Sequence, residues 1–550
     1  MKIELKKPGS VHLVGIGGSG MYYLALLLHF LGWRVSGSDQ TENERVKKLK
    51  KRGLPLFIGH QPSNLQIQPD FLVVSPAITQ PLPEIKAAQK RKIPIYHYHQ
   101  FLDLIYRELP LIKNQPLIKR ALRRSNFAPF YQLDLKQTKI IGITGTDGKT
   151  TTTTMINHIL KKNGLKSAMI TTLGAQIGSK KLTTGLHTTT PPAQELAPII
   201  KKIVEKKITY LALEITSHAL AQHRVEGLRL IGAVYTNVTE EHLDFHQTWS
   251  QYLQDKARMI DLVKPDGFVV LNRDDRSFRY LKKKAARARL AIFTYGHRQA
   301  DLVIQEMPTS NQATKAILFF QRKRYLLHLP IIGRYNLANA SAAILAAYQL
   351  GVALKNAVDA LADFPGVTGR MTILQRQPFT LIVDFAHTPN GLKQALASAR
   401  KLRKNQGRLL VVFGAAGLRD LFKRPKMGKI AAELAEILVL APEDPRREKT
   451  AQINQAIIAG IESKKIVFSE ENLPDRLQVE QELNQGKKVI ICFNQDRPQG
   501  RKNALAWAVK NSRRGDVVIA CGKGHEKSLC FGQREYPWDE IAILKRIILK

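Results

Sequence analysis

A chain of 550 residues is too long for one hydrophobic core and indicates roughly three or four domains. Its hydrophobic content of 44% is ordinary for a folded protein, and no apolar run is long enough to span a bilayer. The three cysteines form no C-x-x-C pair, which argues against a disulfide framework and a cysteine zinc site. Since the first residues show no secretory signal, we expect a reducing cytoplasm.

The formal net charge of +40 is large. It fits either nucleic-acid binding or a basic solvated surface. The cations are spread along the chain rather than gathered in one tail, with short runs at residues 47–52, 282–284, 400–404 and 464–465. No basic stretch is interleaved with aromatic residues, so the pattern favours a basic surface over nucleic-acid binding.

Residues 11–110 have the pattern of a small α/β domain. The segment VHLVGIGGSGM combines an apolar strand with a glycine-rich turn, in which Gly15, Gly17 and Gly20 form G-x-G-x-x-G. A second strand ends at Asp39, near the spacing at which dinucleotide folds place an acid against a ribose. The combination predicts a nucleotide-type ligand.

The most specific motif is GITGTDGKTTTTT, which follows a strand end and opens a helix. Gly145 and Gly148 let backbone N–H groups close around phosphate oxygens. Lys149 supplies a positive charge, and Thr150 offers a hydroxyl to Mg²⁺. An isoleucine stands where the strict pattern has its first glycine, so this is a variant loop. The alternative is a Gly/Thr-rich turn, but the order of strand, loop, Lys-Thr and helix favours a nucleoside triphosphate site.

Two α/β units are expected after a basic, proline-containing segment at residues 111–137, which we interpret as a linker or a packed insertion. Residues 138–365 alternate strands and helices around the phosphate loop, and residues 366–550 do so again. Polar residues at the carboxyl ends of such strands are where open α/β sheets bind ligands.

Candidate metal and phosphate ligands stand at two strand ends of the central unit. Glu214 follows an apolar strand in EITSHAL, and His242, Asp244 and His246 follow another in TNVTEEHLDFH. Mg²⁺ prefers hard oxygen ligands, which Glu214 provides. Histidines near a sheet edge are more often structural than ligating, but the surrounding acids favour a functional cluster.

These motifs together resemble the Mur ligase family. TGTDGKTTTT, EITSHAL, HRVEG, TNVTEEHLDFH and YLQDKARM are similar to its central domain, in the members that add the third peptide residue. VDFAHTPNGL, VFGAAGLRDLFKRP, EDPRRE and GKGHE are similar to the C-terminal domain of the same members. VHLVGIGGSGM, SGSD, FIGH and VVSPAI instead resemble the first domain of the alanine-adding members, so the chain looks chimeric.

The resemblance implies an α/β fold of three-domain Mur ligase architecture. A Rossmann-like domain at residues 1–110 would bind UDP, a P-loop ATPase-like domain at 138–365 would bind ATP, and a Rossmann-like domain at 366–550 would bind the amino acid. The implied reaction is ATP-dependent amide formation through an acyl phosphate in peptidoglycan precursor synthesis. The implied cofactors are ATP and Mg²⁺, and the chain is expected to be a monomer without membrane insertion or nucleic-acid partner.

The resemblance also assigns site residues. The catalytic set implied is Lys149, Glu214, His242 and Lys256. The implied metal ligands are Thr150, Glu214, His242 and a carbamylated Lys256. The implied ATP-binding residues are Gly145, Thr146, Asp147, Gly148, Lys149, Thr150, Thr151, Asn336, Asn339, Arg370 and Asp384. The implied UDP-binding residues are Gly15, Gly17, Gly18, Gly20 and Asp39. The implied muramoyl-dipeptide acceptor residues are Thr189, Thr190, Ser217 and Arg224.

The implied amino-acid-binding residues are Arg419, Glu443, Asp444, Arg446, Gly522 and Glu526. The diaminopimelate-using pattern is Asp-Asn-Pro-Arg, whereas this chain has Glu443-Asp444-Pro445-Arg446. Arg446 suits the distal carboxylate of meso-diaminopimelate and would repel the ammonium of lysine. Diaminopimelate is therefore the expected substrate, with L-lysine and a different UDP-muramoyl acceptor, such as UDP-N-acetylmuramate with L-alanine, as alternatives.

Overall fold

The structure is a computed structural model that describes residues 7–78, 82–178, 180–182, 189–308, 313–404 and 406–549. The first six residues, where the absence of a signal was predicted, lie outside it. Three mixed α/β sheets dominate the described residues, together with a two-stranded hairpin. No helix in these ranges combines the length and apolar character needed to cross a membrane. The predicted α/β class is confirmed.

The first sheet has five parallel strands in the order β3-β2-β1-β4-β5. Its strands are β1 (Ser10–Val14), β2 (Arg34–Asp39), β3 (Leu56–Ile58), β4 (Phe71–Val74) and β5 (Ile95–His97). Its helices are α1 (Ser19–Phe30), α2 (Glu44–Lys50), α3 (Pro83–Lys90), α4 (Tyr98–Ile112) and α5 (Pro116–Ser125). The alternating apolar residues of β1 bury Val11 and Leu13 on one face and Val14 on the other, which gives the sheet a core on each side.

The second sheet has eleven strands in the order β16-β15-β14-β13-β12-β11-β6-β10-β7-β8-β9. Its strands are β6 (Lys139–Thr144), β7 (Ser167–Thr171), β8 (Gly174–Ile177), β9 (Lys180–Leu182), β10 (Tyr210–Glu214), β11 (Leu230–Tyr235), β12 (Val263–Asn272), β13 (Ala291–Gly296), β14 (Leu302–Glu306), β15 (Thr314–Phe320) and β16 (Lys323–Leu329). The helices of this stretch are α6 (Lys149–Lys162), α7 (Ala193–Glu205), α8 (Ser217–Ala221), α9 (Leu243–His246), α10 (Trp249–Ala257), α11 (Phe278–Arg287), α12 (Tyr335–Gln349) and α13 (Leu354–Asp359). As predicted, a strand ends at Glu214.

The third sheet has seven strands in the order β17-β18-β23-β19-β20-β22-β21. Its strands are β17 (Thr372–Gln375), β18 (Thr380–Val383), β19 (Leu409–Phe413), β20 (Ile437–Leu440), β21 (Lys465–Ser469), β22 (Lys488–Cys492) and β23 (Val517–Ala520), and β24 (Ser528–Phe531) and β25 (Arg534–Pro537) form the hairpin. Its helices are α14 (Pro389–Arg400), α15 (Lys423–Leu434), α16 (Thr450–Ile458), α17 (Arg476–Asn484), α18 (Pro498–Lys510) and α19 (Glu540–Ile548). Except for β17, the strands pair in parallel, as a doubly wound fold requires.

Chain contacts divide the protein into two compact units. Unit 1 comprises residues 1–139, 184–209 and 215–230, and unit 2 comprises the remainder. Within unit 1, the predicted linker at residues 111–137 contains the end of α4 and all of α5, and Ile118, Ala121 and Leu122 of α5 are buried in the core. The domain boundaries proposed from the sequence stay predictions.

Candidate nucleotide and ligase site

The turn between β6 and α6 is built from glycines that no other residue could replace. Gly145 and Gly148 have positive φ values, +157° and +83°. A Cβ on Gly145 would lie 1.8 Å from Thr236 Oγ1, and one on Gly148 would lie 2.2 Å from Asn339 Oδ1. Both positions therefore require glycine, and α6 begins directly after the turn at Lys149.

Two lysines converge on this turn. Lys149 Nζ donates hydrogen bonds to the carbonyl oxygens of Gly145 at 3.1 Å and Thr146 at 2.8 Å. Lys256 Nζ, on α10, donates to the same Gly145 oxygen at 2.6 Å, and its side chain is buried. Burial, together with the Lys149 ammonium, holds the pKa of Lys256 well below its usual value. The lowered pKa favours the neutral form of this amine.

A hydroxyl and a carboxylate meet at the start of α6. Thr150 Oγ1 donates to the two carboxylate oxygens of Glu214 at 3.0 and 3.2 Å. The backbone N–H of Thr172 also donates to Glu214, at 3.2 Å. Since β6 and β10 are neighbours in the sheet, their carboxyl ends bring Thr150 and Glu214 together. This oxygen-rich pair has the donor chemistry that Mg²⁺ prefers.

A buried carboxylate, Glu241, lies between two histidines. His242 Nε2 lies 3.6 Å and His387 Nε2 lies 3.4 Å from Glu241 Oε1. Burial opposes ionisation, but the two histidines hold the pKa of Glu241 well below its usual value. Burial and the nearby cations lower the pKa of His242 to about 4, so its imidazole is neutral and able to bind a metal. His242 also has a left-handed backbone, with φ of +56°.

Asp147 connects the phosphate loop to α14 of the third sheet. Its carboxylate accepts hydrogen bonds from Thr388 Oγ1 at 3.2 Å and from Asn390 Nδ2 at 2.7 Å. Its own N–H donates to Asn237 Oδ1 at 2.9 Å. Thr146 is held nearby, since its hydroxyl lies 3.1 Å from the Tyr252 hydroxyl. Thr151 is buried on the first turn of α6.

The two asparagines predicted to bind ATP, Asn336 and Asn339, contact each other. Asn339 Nδ2 donates to Asn336 Oδ1 at 3.1 Å, and both side chains are buried on α12. Thr152 on α6 donates to Asn339 Oδ1 at 3.4 Å. The contact ties α12 to the helix that begins at the phosphate loop. These amides therefore belong to the wall of the same site.

Arg370 reaches the same place from the third sheet. Its Nη2 lies 3.4 Å from Thr150 Oγ1, and its guanidinium stacks over the Phe385 ring at 4.3 Å. Arg370 Nε is buried without a hydrogen-bond partner among the described residues. Asp384 accepts from the N–H groups of Met371 at 2.7 Å and Ala386 at 2.8 Å, and burial raises its pKa. A cation with an unused donor beside Thr150 fits a phosphate-bearing ligand.

The predicted amino-acid residues assemble around a lysine that sequence reasoning did not select. Lys523 is buried, and its Nζ donates to Asp444 Oδ2 at 2.8 Å and to Glu526. Asp444 Oδ1 accepts from the N–H of Cys530 at 2.8 Å. Arg446 Nη1 donates to the Gly417 carbonyl oxygen at 3.2 Å. Lys523, Asp444 and Glu526 thus form a charged network on the loops after β20 and β23, and Arg446 is held by the loop after β19.

Glu443 lies beneath this network. Its Oε2 accepts from the Gly414 N–H at 3.3 Å, and burial raises its pKa to about 7. A Cβ on Gly522 would lie 1.9 Å from Glu443 Oε2, and Gly522 has a φ of +101°. The Glu443 carboxyl therefore requires a glycine at position 522. Burial lowers the pKa of Arg419, and the nearby cation of Arg446 lowers it further.

Within unit 1, Asp39 closes the glycine turn of the first sheet. Its carboxylate accepts from the N–H groups of Gly17 at 2.8 Å and Thr41 at 3.2 Å. Gly15 has a φ of +80°, and a Cβ on Gly20 would lie 2.4 Å from the Tyr98 hydroxyl. The motif glycines thus permit a tight turn under a tyrosine.

A cavity of about 250 Å³ in unit 1 is lined by the start of α1 and by Arg224. Gly18 and Gly20 line it, whereas Gly15, Gly17 and Asp39 do not. Arg224 Nη1 donates to the Thr190 carbonyl oxygen at 2.9 Å, and Thr190 Oγ1 accepts from the N–H of Thr216 at 3.1 Å. The cavity therefore brings two of the predicted UDP-binding glycines and one predicted acceptor residue together.

The other three predicted acceptor residues, Thr189, Thr190 and Ser217, do not line the cavity. Ser217 is buried at the first position of α8, and Thr189 is half-buried directly before Thr190.

Sequence reasoning missed Glu241, His387 and Lys523. Glu241 stands in the acidic run before His242, His387 follows the strand in VDFAHTP, and Lys523 is part of GKGHE. Each therefore lay within a motif already selected. Their position after strand ends was the available signal, but only the folded contacts single them out.

Comparison with known proteins gives three domain matches along the chain. Residues 10–108 match the model for "Mur ligase family, catalytic domain", residues 143–347 match "Mur ligase middle domain", and residues 369–524 match "Mur ligase, glutamate ligase domain". Their order and extent agree with the three sheets.

Curated relatives and solved structures agree with these matches. A UDP-N-acetylmuramoyl-L-alanyl-D-glutamate–2,6-diaminopimelate ligase of Clostridium botulinum is 33% identical over 448 residues, covering 80% of this chain and 84% of the relative. A UDP-N-acetylmuramyl-tripeptide synthetase of Roseiflexus sp. is 34% identical over 438 residues, covering 76% and 80%.

A solved diaminopimelate ligase structure has 25% identity and a TM-score of 0.52, and the match covers 87% of this chain and 91% of that one. The sheets, the phosphate loop and these similarities together establish that the chain belongs to the Mur ligase family and is an ATP-dependent ligase of peptidoglycan precursor synthesis.

Proposed function

We propose that the protein adds meso-diaminopimelate to UDP-N-acetylmuramoyl-L-Ala-D-Glu in the cytoplasm, as a monomer. The observation that carries this proposal is the convergence of Lys149, Thr150, Glu214 and Lys256 at the carboxyl edge of the second sheet. The names of the curated relatives support the choice of acceptor and amino acid.

ATP is proposed to bind at the phosphate loop with its phosphates against Gly145–Thr151. The glycines fit this ligand, because any Cβ there would fill the cradle or collide with Thr236 and Asn339. Lys149 and Arg370 would balance the phosphate charge, and Asn336, Asn339 and Asp384 would hold the nucleotide from the neighbouring elements.

Mg²⁺ is proposed to bind Thr150 and Glu214, with His242 and a carbamylated Lys256 at a second position. The donor set fits, because it offers a hydroxyl, a carboxylate and a neutral imidazole. Bound Mg²⁺ would supply charge stabilisation for the phosphates. Lys256 suits carbamylation, since its neutral amine can add to CO₂ and release a proton, which leaves an anionic carbamate.

The reaction is proposed to proceed in two displacements. The substrate carboxylate attacks the γ-phosphorus of ATP, so that an acyl phosphate forms and ADP leaves. The amine of the incoming amino acid then attacks the acyl carbon, releasing phosphate and a proton. The protein contributes mainly positioning and charge stabilisation through Lys149 and Arg370.

The UDP-muramoyl substrate is proposed to bind residues of unit 1. The cavity at the start of α1 suits part of it, because it offers backbone groups at Gly18 and Gly20 and the cation of Arg224. Gly15, Gly17 and Asp39 would shape the turn, while Thr189, Thr190 and Ser217 would support the acceptor side.

The amino acid is proposed to bind the network around Lys523. Arg446, with Arg419 nearby, offers a guanidinium to the distal carboxylate of diaminopimelate. Asp444 and Glu526 already accept hydrogen bonds from Lys523. Glu443 occupies the space that a side chain at position 522 would need. L-lysine has the distal ammonium without that carboxylate, so its uncompensated positive charge would meet two arginines, which favours diaminopimelate.

The deciding experiment measures phosphate release and product mass with ATP, Mg²⁺ and UDP-N-acetylmuramoyl-L-Ala-D-Glu, adding either meso-diaminopimelate or L-lysine. We expect a tripeptide product with diaminopimelate alone. A tripeptide product that contains lysine would support the ligase activity and refute the proposed role of Arg446 in selecting diaminopimelate. If neither amino acid reacts, UDP-N-acetylmuramate with L-alanine tests the alternative suggested by the first domain.

A further inference from the structure

Helix α5 of unit 1 presents an unusually basic outer face. Between Glu108 and Asp134 the chain contains five cations, Lys113, Lys119, Arg120, Arg123 and Arg124, and no aspartate or glutamate. The inner face of α5 is buried, whereas Lys119, Arg120, Arg123 and Arg124 are exposed. None of these four cations has a carboxylate partner among the described residues. Their charge is directed outward.

The basic face continues onto the neighbouring helices of the same layer. Both α5 and α2 pack on α1. Arg124 stacks over the Phe30 ring at 5.7 Å, and Arg52, just after α2, lies close enough to lower the pKa of His29. Helix α2 and the turn after it add a set of exposed cations, Arg45, Lys47, Lys48, Lys50, Lys51 and Arg52, against two acids, Glu42 and Glu44. We call the outer surface of α5, α2 and the end of α1 the basic face.

Exposed leucines border the cations of α5. Leu117, on the first turn of α5, is 55% exposed, and Leu111, at the end of α4, is 83% exposed. Large aliphatic side chains beside cations are typical of proteins that lie on anionic membranes, where the leucines enter the headgroup region. A surface for single-stranded nucleic acid would instead use exposed aromatic residues for stacking, and α5 carries none.

We propose that the basic face docks unit 1 on an anionic phospholipid bilayer. The charges complement the lipid phosphates, and Leu111 and Leu117 add apolar contact. The face meets the C-terminal end of α1, about 18 Å along the helix from the turn that lines the cavity.

Vesicle sedimentation with the full chain tests the proposal. We expect binding to vesicles of equal parts phosphatidylglycerol and phosphatidylcholine, and none to phosphatidylcholine alone. The triple variant K119E/R120E/R123E should bind at least about a hundredfold more weakly, since each cation near an anionic surface contributes about fivefold. The matched control R279E/K282E/K283E makes the same charge change on α11 and should bind like the wild type.

A second variant separates a membrane from other polyanions. L111S/L117S leaves the charge unchanged and should weaken vesicle binding several-fold, without altering retention on duplex DNA. All variants should keep ligase activity on soluble substrates, because none of these residues belongs to the site. The proposal would be overturned if the wild-type protein does not bind anionic vesicles, or if both charge variants lose the same amount of binding. Tighter binding to DNA than to vesicles would also overturn it.

Discussion

Lys256 Nζ donates a 2.6 Å hydrogen bond to the carbonyl oxygen of Gly145, the first glycine of the phosphate turn. The contact joins α10 to the loop after β6 across a large separation in sequence. It also places a buried amine beside Lys149, which explains why the pKa of Lys256 is so low. The two lysines have different tasks, and they can be separated experimentally.

Lys149→Ala should abolish turnover and leave the fold intact. The side chain supplies the charge at the start of α6, and its ammonium bonds only to loop carbonyl oxygens in the described structure. Phosphate release is the measurement, with circular dichroism to check folding. Lys166→Ala, at an exposed position after the same helix, should retain full activity. Near-wild-type activity in Lys149→Ala would refute the phosphate-loop assignment.

Activity should depend on dissolved CO₂ through Lys256. The lowered pKa of Lys256 favours its neutral amine, and protonation of this amine as the pH falls should remove both the carbamate and activity. After labelling with ¹³C-bicarbonate, a carbamate resonance should appear in the wild type and be absent in Lys256→Gln. Lys283→Gln is the exposed control. An unchanged resonance in Lys256→Gln would place the carbamate elsewhere.

Arg446→Ala should raise the KM for the amino acid far more than the KM for ATP. Its guanidinium is held by the Gly417 carbonyl, and Arg446 lies two residues along the chain from Asp444, which bonds to Lys523. Steady-state kinetics with each substrate varied in turn gives both constants. The adjacent, exposed Arg447 provides the control variant, Arg447→Ala. Equal effects on the two constants would mean that Arg446 does not select the amino acid.

Glu443 should make the protein less stable as the pH rises. Burial raises its pKa to about 7, above the value of an unfolded chain, so the folded state holds a proton that the unfolded state has released. The stability is fully present below about pH 4.5 and is lost as the pH rises through about 7, by roughly 3–4 kcal/mol. Thermal unfolding across this range should show the loss in the wild type.

Glu443→Gln removes the titrating group and should flatten this dependence. The amide oxygen can still accept from the Gly414 N–H, so the variant should gain stability relative to the wild type as the pH rises. Glu462→Gln, at a solvent-exposed carboxylate, should follow the wild-type curve. If the stability of Glu443→Gln falls with rising pH as steeply as that of the wild type, another group causes the effect.

The phosphate loop and the strand that ends at Glu214 could be predicted because their signals are local. Glycine spacing, the Lys-Thr pair and an apolar strand are contained within short segments, and the structure places them as expected. The three α/β sheets followed from the same alternation of strands and helices. Such patterns predict the strands and helices of the folded chain because each element has its own residue periodicity.

The roles of Glu241 and Lys523 could not be predicted, because they arise from contacts between distant segments. Glu241 acquires its low pKa partly from His387, on a different sheet. Lys523 becomes central only when the loops after β20 and β23 meet. Asp39 likewise bonds to the turn that precedes its own strand, which spacing alone did not reveal. Tertiary proximity, rather than sequence pattern, selects these side chains.

The bonds from Asp147 to Thr388 and Asn390 also have an evolutionary consequence. A recombination breakpoint anywhere between residues 148 and 387 would bring together a loop and a helix selected in different ancestors. The exchanged pieces would then have to match at three side chains to keep the phosphate turn in place. We therefore expect the segment from the phosphate loop to α14 to be inherited as one block.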